Sequence, residues 1–152
     1  MGLSGLILRK YEKLEVETTK KTLLNILDLC GCKYTSEFHT YSIRNRLYNY
    51  YFISVSPQIH NKNFVMYLYG DVVPEYNRNN FEFIESDLVK VVSIEDIYGC
   101  EEILLKILHE YFKFYPDDFF YNELEWYYDK NIISKIIASS DQKNWCYIKP
   151  YK

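Results

Sequence analysis

The chain has 152 residues and a formal net charge of −3 at pH 7. Its length allows about 69% of the unfolded surface to be buried without disulfides or metals. A composition of 48% hydrophobic and 26% charged residues excludes a mainly disordered chain, a fibre or a coiled coil, so we expect one globular domain over residues 1–152.

The N-terminal part of the chain predicts a strand followed by a helix. Residues 6–11 are typical of a short strand. Four apolar side chains then recur at i, i+3, i+4 and i+7, which indicates an amphipathic helix over residues 19–30. These side chains are Leu23, Ile26, Leu27 and Cys30. Gly31 is placed to end this helix in a left-handed conformation.

Three strands with short connections are predicted next. They cover residues 34–43, 48–56 and 64–69, which are rich in aromatic and β-branched side chains. The tripeptide Arg44-Asn45-Arg46 is placed to turn the chain between the first two strands. Connections this short imply an antiparallel meander, because parallel neighbours need a long crossover.

The pattern changes to helices in the second half. Residues 81–84 and 88–92 favour further short strands, and Ser93 with Asp96 matches a variant of the capping box that begins a helix. Apolar residues at helical spacing predict a helix over residues 100–114, which Pro116 ends.

The C-terminal third is harder to interpret. Residues 117–128 fit a helix, a strand or a loop, Asp129 can cap a last helix, and residues 145–151 have strand-like character. The order of elements predicts an α+β fold. We expect an antiparallel sheet of four to five strands, with the N-terminal helix and the C-terminal helices packed on one face.

Groups suited to catalysis are sparse. Glu37 and His39 lie two residues apart on one side of a predicted strand, where the carboxylate can orient a histidine base for Cys32 as nucleophile. A surface pair on the strand explains the same residues. The cysteines form no C-x-x-C pair, and no phosphate loop or hydrolase motif occurs, so we predict no enzyme, no metal and no cofactor.

The N-terminus and the apolar runs bear on location. The apolar stretch before Arg9 and Lys10 is too short for a signal peptide, and no apolar run is long enough to cross a membrane. We therefore expect a cytoplasmic protein without a membrane partner.

Tyrosine is the outlier of the composition, with 17 copies. Alternation places Tyr48, Tyr50 and Phe52 on one side of their strand, and the mainly aliphatic set Tyr51, Ile53 and Val55 on the other. If helices cover only the aliphatic face, the rings can stack single-stranded nucleic acid, with Arg44 and Arg46 at the hairpin. The alternative is that the C-terminal segment covers these rings as a second core. The acidic net charge also argues against a non-specific nucleic-acid binder, which is usually basic.

The strongest local anomaly is the segment 117–129. The segment contains five carboxylates and six aromatic rings, and none of its residues is a lysine or an arginine. Rings that anchor and charges that steer are typical of an interface with a basic protein partner. The alternatives are a turn whose rings fill the core while its acids are solvated, and a carboxylate pair, Glu123 with Glu125, that acts as acid and base or holds a metal.

The same part of the chain also resembles a known class of proteins. The stretch Leu-His-Glu-Tyr-Phe-Lys-Phe-Tyr-Pro-Asp-Asp-Phe-Phe-Tyr-Asn-Glu over residues 108–123, continued by Trp126-Tyr127, has a helix ending at Pro-Asp, then aromatic pairs and an acid. It resembles small bacterial immunity proteins of polymorphic or contact-dependent toxin systems. That resemblance implies a non-catalytic protein that binds a cognate toxin, and many such toxins are nucleases with basic clefts.

The sequence therefore predicts a cytosolic immunity protein that neutralises a toxin through an acidic and aromatic patch. The expected partner contacts are Asp117, Asp118, Glu123, Glu125, Trp126 and Tyr128. The alternative is a nucleic-acid-binding or regulatory module that uses the aromatic sheet face. The oligomeric state and the identity of the partner stay open.

Overall fold

The structure is a computed structural model that describes residues 3–58, 62–70, 80–139 and 142–151. Seven strands and three α-helices follow one another along these residues. In chain order they are β1 (Gly5–Lys10), α1 (Val16–Leu29), β2 (Cys32–Ile43), β3 (Arg46–Pro57), β4 (Phe64–Tyr69), β5 (Leu88–Glu95), α2 (Glu101–Phe114), β6 (Phe119–Asn122), β7 (Tyr127–Tyr128) and α3 (Lys130–Ala138). Short 3₁₀ turns cover Tyr11–Lys13 and Trp145–Tyr147.

The strands form one sheet in the order β2-β3-β4-β5-β1-β6-β7, and every neighbouring pair is antiparallel. The α+β class and the antiparallel sheet are confirmed, but the expectation of four to five strands is wrong. The two additional strands, β6 and β7, are short and lie in the segment that the sequence pattern left open. They extend the sheet because β6 pairs with β1 over residues 119–122.

Several local predictions are confirmed. Gly31 has a φ of 73° directly after the helix end, where a left-handed residue closes α1. Arg44 and Asn45 have φ angles of 50° and 63°, as a tight two-residue hairpin requires. Asp129 caps α3, because its carboxylate accepts a hydrogen bond of 2.8 Å from the Ile132 amide.

Two strand predictions and one helix start are wrong. Residues 81–84 form turns, and residues 145–147 form a 3₁₀ turn rather than a strand. Ser93 does not begin a helix but lies inside β5, where it shares a 2.8 Å hydrogen bond with the Tyr69 hydroxyl. The strand continues because β1 and β4 pair with it on both sides, and α2 begins only at Glu101.

The core joins alternate residues of the central strands to the apolar stripes of the helices. Ile53 of β3 and Met66 of β4 are fully buried in one cluster with Leu23 of α1 and Leu104 of α2. Each such side chain contributes about 1.5–3 kcal/mol on burial. Among the described helices, none is long and apolar enough to cross a membrane.

Candidate functional site

The segment 117–129 divides into a buried frame and an exposed turn. Its first acid, Asp117, is exposed and forms an ion pair of 3.2 Å with Lys13, in the turn after β1. Both side chains are largely in water, where such a pair contributes little to stability. Asp117 is therefore an accessible acid whose charge is already partly balanced within the chain.

Asp118 belongs to a buried polar cluster instead. Its carboxylate accepts hydrogen bonds of 3.0 and 3.2 Å from Arg9 Nε and one of 2.7 Å from the Tyr111 hydroxyl. Arg9 also donates to Tyr111 and to Thr19, each at 2.8 Å, and its guanidinium lies 4.0 Å from the centre of the Tyr115 ring. The cluster joins β1 to both long helices.

The two charged side chains of this cluster are buried, so the cluster is structural. Arg9 is 2% exposed and Asp118 is 3% exposed, so neither side chain offers surface to a partner. Burial raises the pKa of the Asp118 carboxyl, while Arg9 and the Tyr111 hydroxyl oppose that shift. The prediction that Asp118 lies on an exposed patch is therefore wrong. The side chain can be buried because the Arg9 guanidinium balances its negative charge.

The aromatic residues predicted as contacts are also drawn inwards. Tyr128 is fully buried, and its ring packs at 5.8 Å from Phe120 and 5.2 Å from Trp145. Burial raises the pKa of Tyr128 well above its ordinary value. Trp126 is half-buried against the same core. These rings form part of the interior, as one of the sequence alternatives proposed.

Asn122 holds the turn between β6 and β7. Its side-chain oxygen accepts hydrogen bonds of 3.1 Å from the amides of Leu124 and Trp126, and its amide nitrogen donates to the Cys146 carbonyl at 3.2 Å. Asn122 is 1% exposed. One buried side chain therefore fixes both sides of the turn and ties it to the C-terminal segment.

The turn itself is exposed. Glu123, Leu124 and Glu125 all face solvent, with 43% of Leu124 accessible. The Glu123 carboxylate accepts a 3.0 Å hydrogen bond from the Ser4 hydroxyl, and its amide donates to the Ser4 carbonyl. Glu125 has a φ of 65°, in the left-handed region that non-glycine residues rarely adopt.

Half-buried rings other than the predicted ones lie next to this turn. Tyr121 packs 5.7 Å from Phe83, which is 62% exposed, and Tyr127 packs 4.6 Å from Tyr151. The Glu125 carboxylate lies close enough to contribute to the raised pKa of Tyr121, although burial is the larger cause. We call this surface the acidic tip. It comprises Phe83, Tyr121, Glu123, Leu124, Glu125 and Tyr127.

Only Glu123 and Glu125 of the six predicted contacts belong to the acidic tip. Sequence reasoning passed over Tyr121 and Tyr127, which alternate with buried residues in two very short strands. Phe83 could not be identified from the sequence either. It lies in the turn before β5, and it comes close to Tyr121 only because β1 lies between β5 and β6 in the sheet. Half-buried and buried residues alternate over 119–122 in the structure, but the sequence itself shows no such alternation there.

The candidate catalytic residues lie apart. His39 Nε2 and a Glu37 carboxylate oxygen are 3.0 Å apart on the surface of β2. Cys32 is seven positions before His39 on the same strand, which is about 23 Å away and on the opposite side. Burial raises the pKa of the Cys32 thiol to about 11, so it is a poor nucleophile near neutral pH. Cys32 and His39 cannot act as a nucleophile and its base.

A strip of rings follows the side of β2, β3 and β4 opposite the buried aliphatic residues. Neighbouring ring centres lie between 5.3 and 6.4 Å apart. The members of this ring strip are His39, Tyr41, Tyr48, Tyr50, Phe52 and Tyr67. Most are half-buried, but Tyr48 is only 7% exposed. The predicted alternation of the two sides is confirmed for β3 and β4, but the buried side also carries the rings of Tyr51 and Phe64.

Groups of metal ligands and similarity to known proteins are two further kinds of evidence about function. Within the described ranges, no group of three or more histidine, cysteine, aspartate or glutamate side chains is placed to hold a metal ion. No protein-family model, no curated protein and no solved structure matches the chain significantly. The functional proposal therefore depends on the geometry of the surfaces described above.

Proposed function

We propose that the protein is a non-catalytic binding protein of the toxin-immunity kind, which neutralises a basic toxin domain through the acidic tip. The observation that carries this proposal is the rigid presentation of the exposed turn Glu123–Glu125 by the buried Asn122 side chain. A surface that is already ordered before binding loses little conformational entropy on binding.

The backbone of the tip supports this interpretation. Glu125 is held in a left-handed conformation, which costs a non-glycine residue about 1 kcal/mol or more. A glycine there would avoid that cost but would remove a carboxylate from the turn. The chain thus keeps a charged side chain at a position where stability alone favours glycine, as expected if the charge binds a partner.

The charges of the tip are not neutralised by a basic side chain of the described residues, although the Glu123 carboxylate accepts a hydrogen bond from the neutral Ser4 hydroxyl. Over the parts of the chain that the structure describes, neither Glu123 nor Glu125 forms an ion pair with a lysine or arginine. Their carboxylates are free to steer a basic cleft towards the tip, and the exposed Leu124 and Phe83 supply apolar contact area. This combination fits a basic protein partner better than a small molecule.

The test is neutralisation in cells. A toxin domain encoded beside this chain is expressed with the wild-type protein or with the Glu123→Lys/Glu125→Lys variant. We expect growth with the wild-type protein and loss of protection with the variant. The matched control, Glu12→Lys/Asp28→Lys, makes the same change of charge at two exposed sites away from the tip and should still protect.

Two results would overturn the proposal. One is full protection by the tip variant at equal protein levels. The other is the absence of any neighbouring toxin domain whose activity the wild-type protein reduces. Thermal unfolding of both variants shows that the fold is retained, because surface charge changes usually alter stability by less than about 0.5 kcal/mol.

The ring strip favours a second candidate, a module that stacks single-stranded nucleic acid. We infer that the helices cover the aliphatic side of the sheet and leave the rings on the other side. Glu37 and Glu95 border the strip and repel phosphates, and the pKa of Tyr67 is raised by burial and then by Glu95. A protein partner is therefore favoured. RNA binding that falls steeply with salt would instead support the second candidate.

A further inference from the structure

The two edges of the sheet differ in how much backbone they leave unpaired. β7, at one end, has two residues and is followed at once by α3. β2, at the other end, has 12 residues, and no described strand pairs with its outer side. A long unpaired edge presents amide and carbonyl groups that can template another strand.

β2 lacks two of the features that commonly protect such an edge, although it carries the exposed charges of Lys33 and Glu37. It contains no proline, and its register with β3 runs without a bulge from Cys32 to Ile43. Phe38, at the middle of the strand, is 57% exposed, although its ring also contacts Tyr51 at 5.2 Å. The exposed part of this ring is apolar area that a partner strand on this edge would remove from water.

The hairpin turn defines which backbone groups point outwards. The two-residue turn closes on the pair Ile43 and Arg46, which are hydrogen-bonded to each other in this type of hairpin. Hydrogen-bonded and non-hydrogen-bonded pairs alternate from there. Ser36, Phe38 and Thr40 therefore direct their amide and carbonyl groups away from β3, towards an incoming strand.

We propose that this incoming strand is β2 of a second copy of the chain, paired antiparallel about a two-fold axis at Phe38. In that register the outward groups of each Phe38 bond to those of the other, and Ser36 of each copy bonds to Thr40 of the other. The two sheets then become one continuous sheet across the dimer.

The side chains favour this register through charge. A two-fold axis at Phe38 places Glu37 of each copy directly opposite His39 of the other. These are non-hydrogen-bonded pairs, in which side chains come closest. Within one chain the same two side chains already lie 3.0 Å apart, on the same side of the strand. The pairing thus creates two opposite-charge contacts when the histidines are protonated, and it brings the two exposed phenylalanine rings together.

Two variants test the proposal, one with positive charges and one with negative charges at positions 37 and 39. In Glu37→Lys/His39→Lys, both positions are positive, and in His39→Glu, both are negative. Each variant alone places like charges opposite each other and should be mainly monomeric at a concentration at which the wild-type protein is dimeric. A mixture of the two should form a heterodimer, because every cross-strand pair is then opposite in charge.

The measurement is sedimentation equilibrium over a range of protein concentrations. We expect each charge variant to weaken self-association at least about tenfold, and the equimolar mixture to recover it. His39→Lys is the matched control, since it keeps opposite charges across the axis and should dimerise like the wild-type protein. A mixture no more associated than its components overturns the proposed register, and a wild-type protein that stays monomeric overturns the dimer.

The backbone supplies a second test that does not depend on charge. Thr40→Pro removes an outward amide without breaking a bond to β3, so the fold should be retained while dimerisation is lost. Thr40→Ala keeps the amide and should dimerise. A Thr40→Pro variant that is folded by circular dichroism and still dimeric contradicts pairing through this edge.

Discussion

The two ends of the sheet use their polar groups in opposite ways. At the β6–β7 end, buried polar side chains are fully engaged within the chain: Arg9 with Asp118, and Asn122 with the turn amides. At the β2 end, polar and aromatic side chains face solvent along a strand of 12 residues. The first end is held by buried hydrogen bonds within the chain, whereas the second leaves one side of a long strand unpaired among the described strands.

This difference explains why acidic residues close in sequence have different roles. Asp118 is enclosed by β1 and α2, where its charge is balanced, and it has become structural. Glu123 and Glu125, five and seven residues later, are carried outwards by the turn that Asn122 fixes. The buried end therefore provides the rigidity that the proposed binding surface needs.

The largest expected effect comes from breaking the buried ion pair. Asp118→Ala leaves the Arg9 guanidinium buried without its carboxylate, and we expect a loss of about 3–5 kcal/mol in the free energy of unfolding. Urea denaturation monitored by fluorescence measures this loss. Replacing the whole cluster, as Arg9→Met/Tyr111→Phe/Asp118→Leu, should restore most of the stability, because neither an uncompensated charge nor an unpaired Tyr111 hydroxyl remains. A single variant as stable as the wild-type protein would show that the pair is not structural.

A smaller effect is expected at the frame of the acidic tip. Asn122→Ala leaves two amides and one carbonyl without their partner, and we expect a loss of about 2 kcal/mol. Asn131→Ala, on the exposed side of α3, is the matched control and should change stability by less than about 0.5 kcal/mol. Equal losses in the two variants would mean that Asn122 does not hold the turn.

Alkaline pH should weaken the buried core gradually. Burial raises the pKa of Cys32 to about 11 and that of Cys146 to about 12, so the folded state holds both thiol protons more tightly than the unfolded chain. Their contribution is complete below the ordinary thiol pKa of about 9, and it is lost progressively as the pH rises from there towards the raised values. We expect the two thiols together to cost about 2–3 kcal/mol between pH 8 and pH 10. An unfolding free energy that stays constant over this range would contradict the burial of these thiols.

The smallest expected effect is a gain. Glu125→Gly removes the cost of the left-handed conformation and should raise the free energy of unfolding by about 0.5–1 kcal/mol. Glu125→Ala removes the same carboxylate but keeps the conformational cost, so the difference between these variants isolates the backbone term. A glycine variant no more stable than the alanine variant would show that the turn is unstrained.

Local sequence patterns predicted much of this fold. The features that they did not predict depend on contacts between residues far apart in the chain. The stripe at Leu23 and Ile26 marks α1, and the alternation over Phe64–Tyr69 marks β4 with the bounds that the structure has. By contrast, the role of Asp118 depends on Arg9, 109 positions earlier in the chain. No periodicity in the sequence reports such a contact.

The acidic tip shows the same limit. The composition of residues 117–129 identified this segment as unusually rich in acids and rings. The strands β6 and β7 within it are too short to be recognised from alternation in the sequence, because they are defined by pairing with β1 and with each other. Tyr128 and Tyr127 are neighbours of identical chemistry, and only the register determines that the first is buried and the second is part of the tip.

The most direct test of the proposed function is an affinity measurement. Calorimetric titration of the toxin domain encoded beside this chain compares the wild-type protein, Glu123→Lys/Glu125→Lys and Glu12→Lys/Asp28→Lys. If the acidic tip is the binding surface, the tip variant should bind at least about a hundredfold more weakly, since it loses two charge contacts of about 1.5 kcal/mol each, while the control stays near the wild-type value. Equal affinities for all three proteins would contradict it.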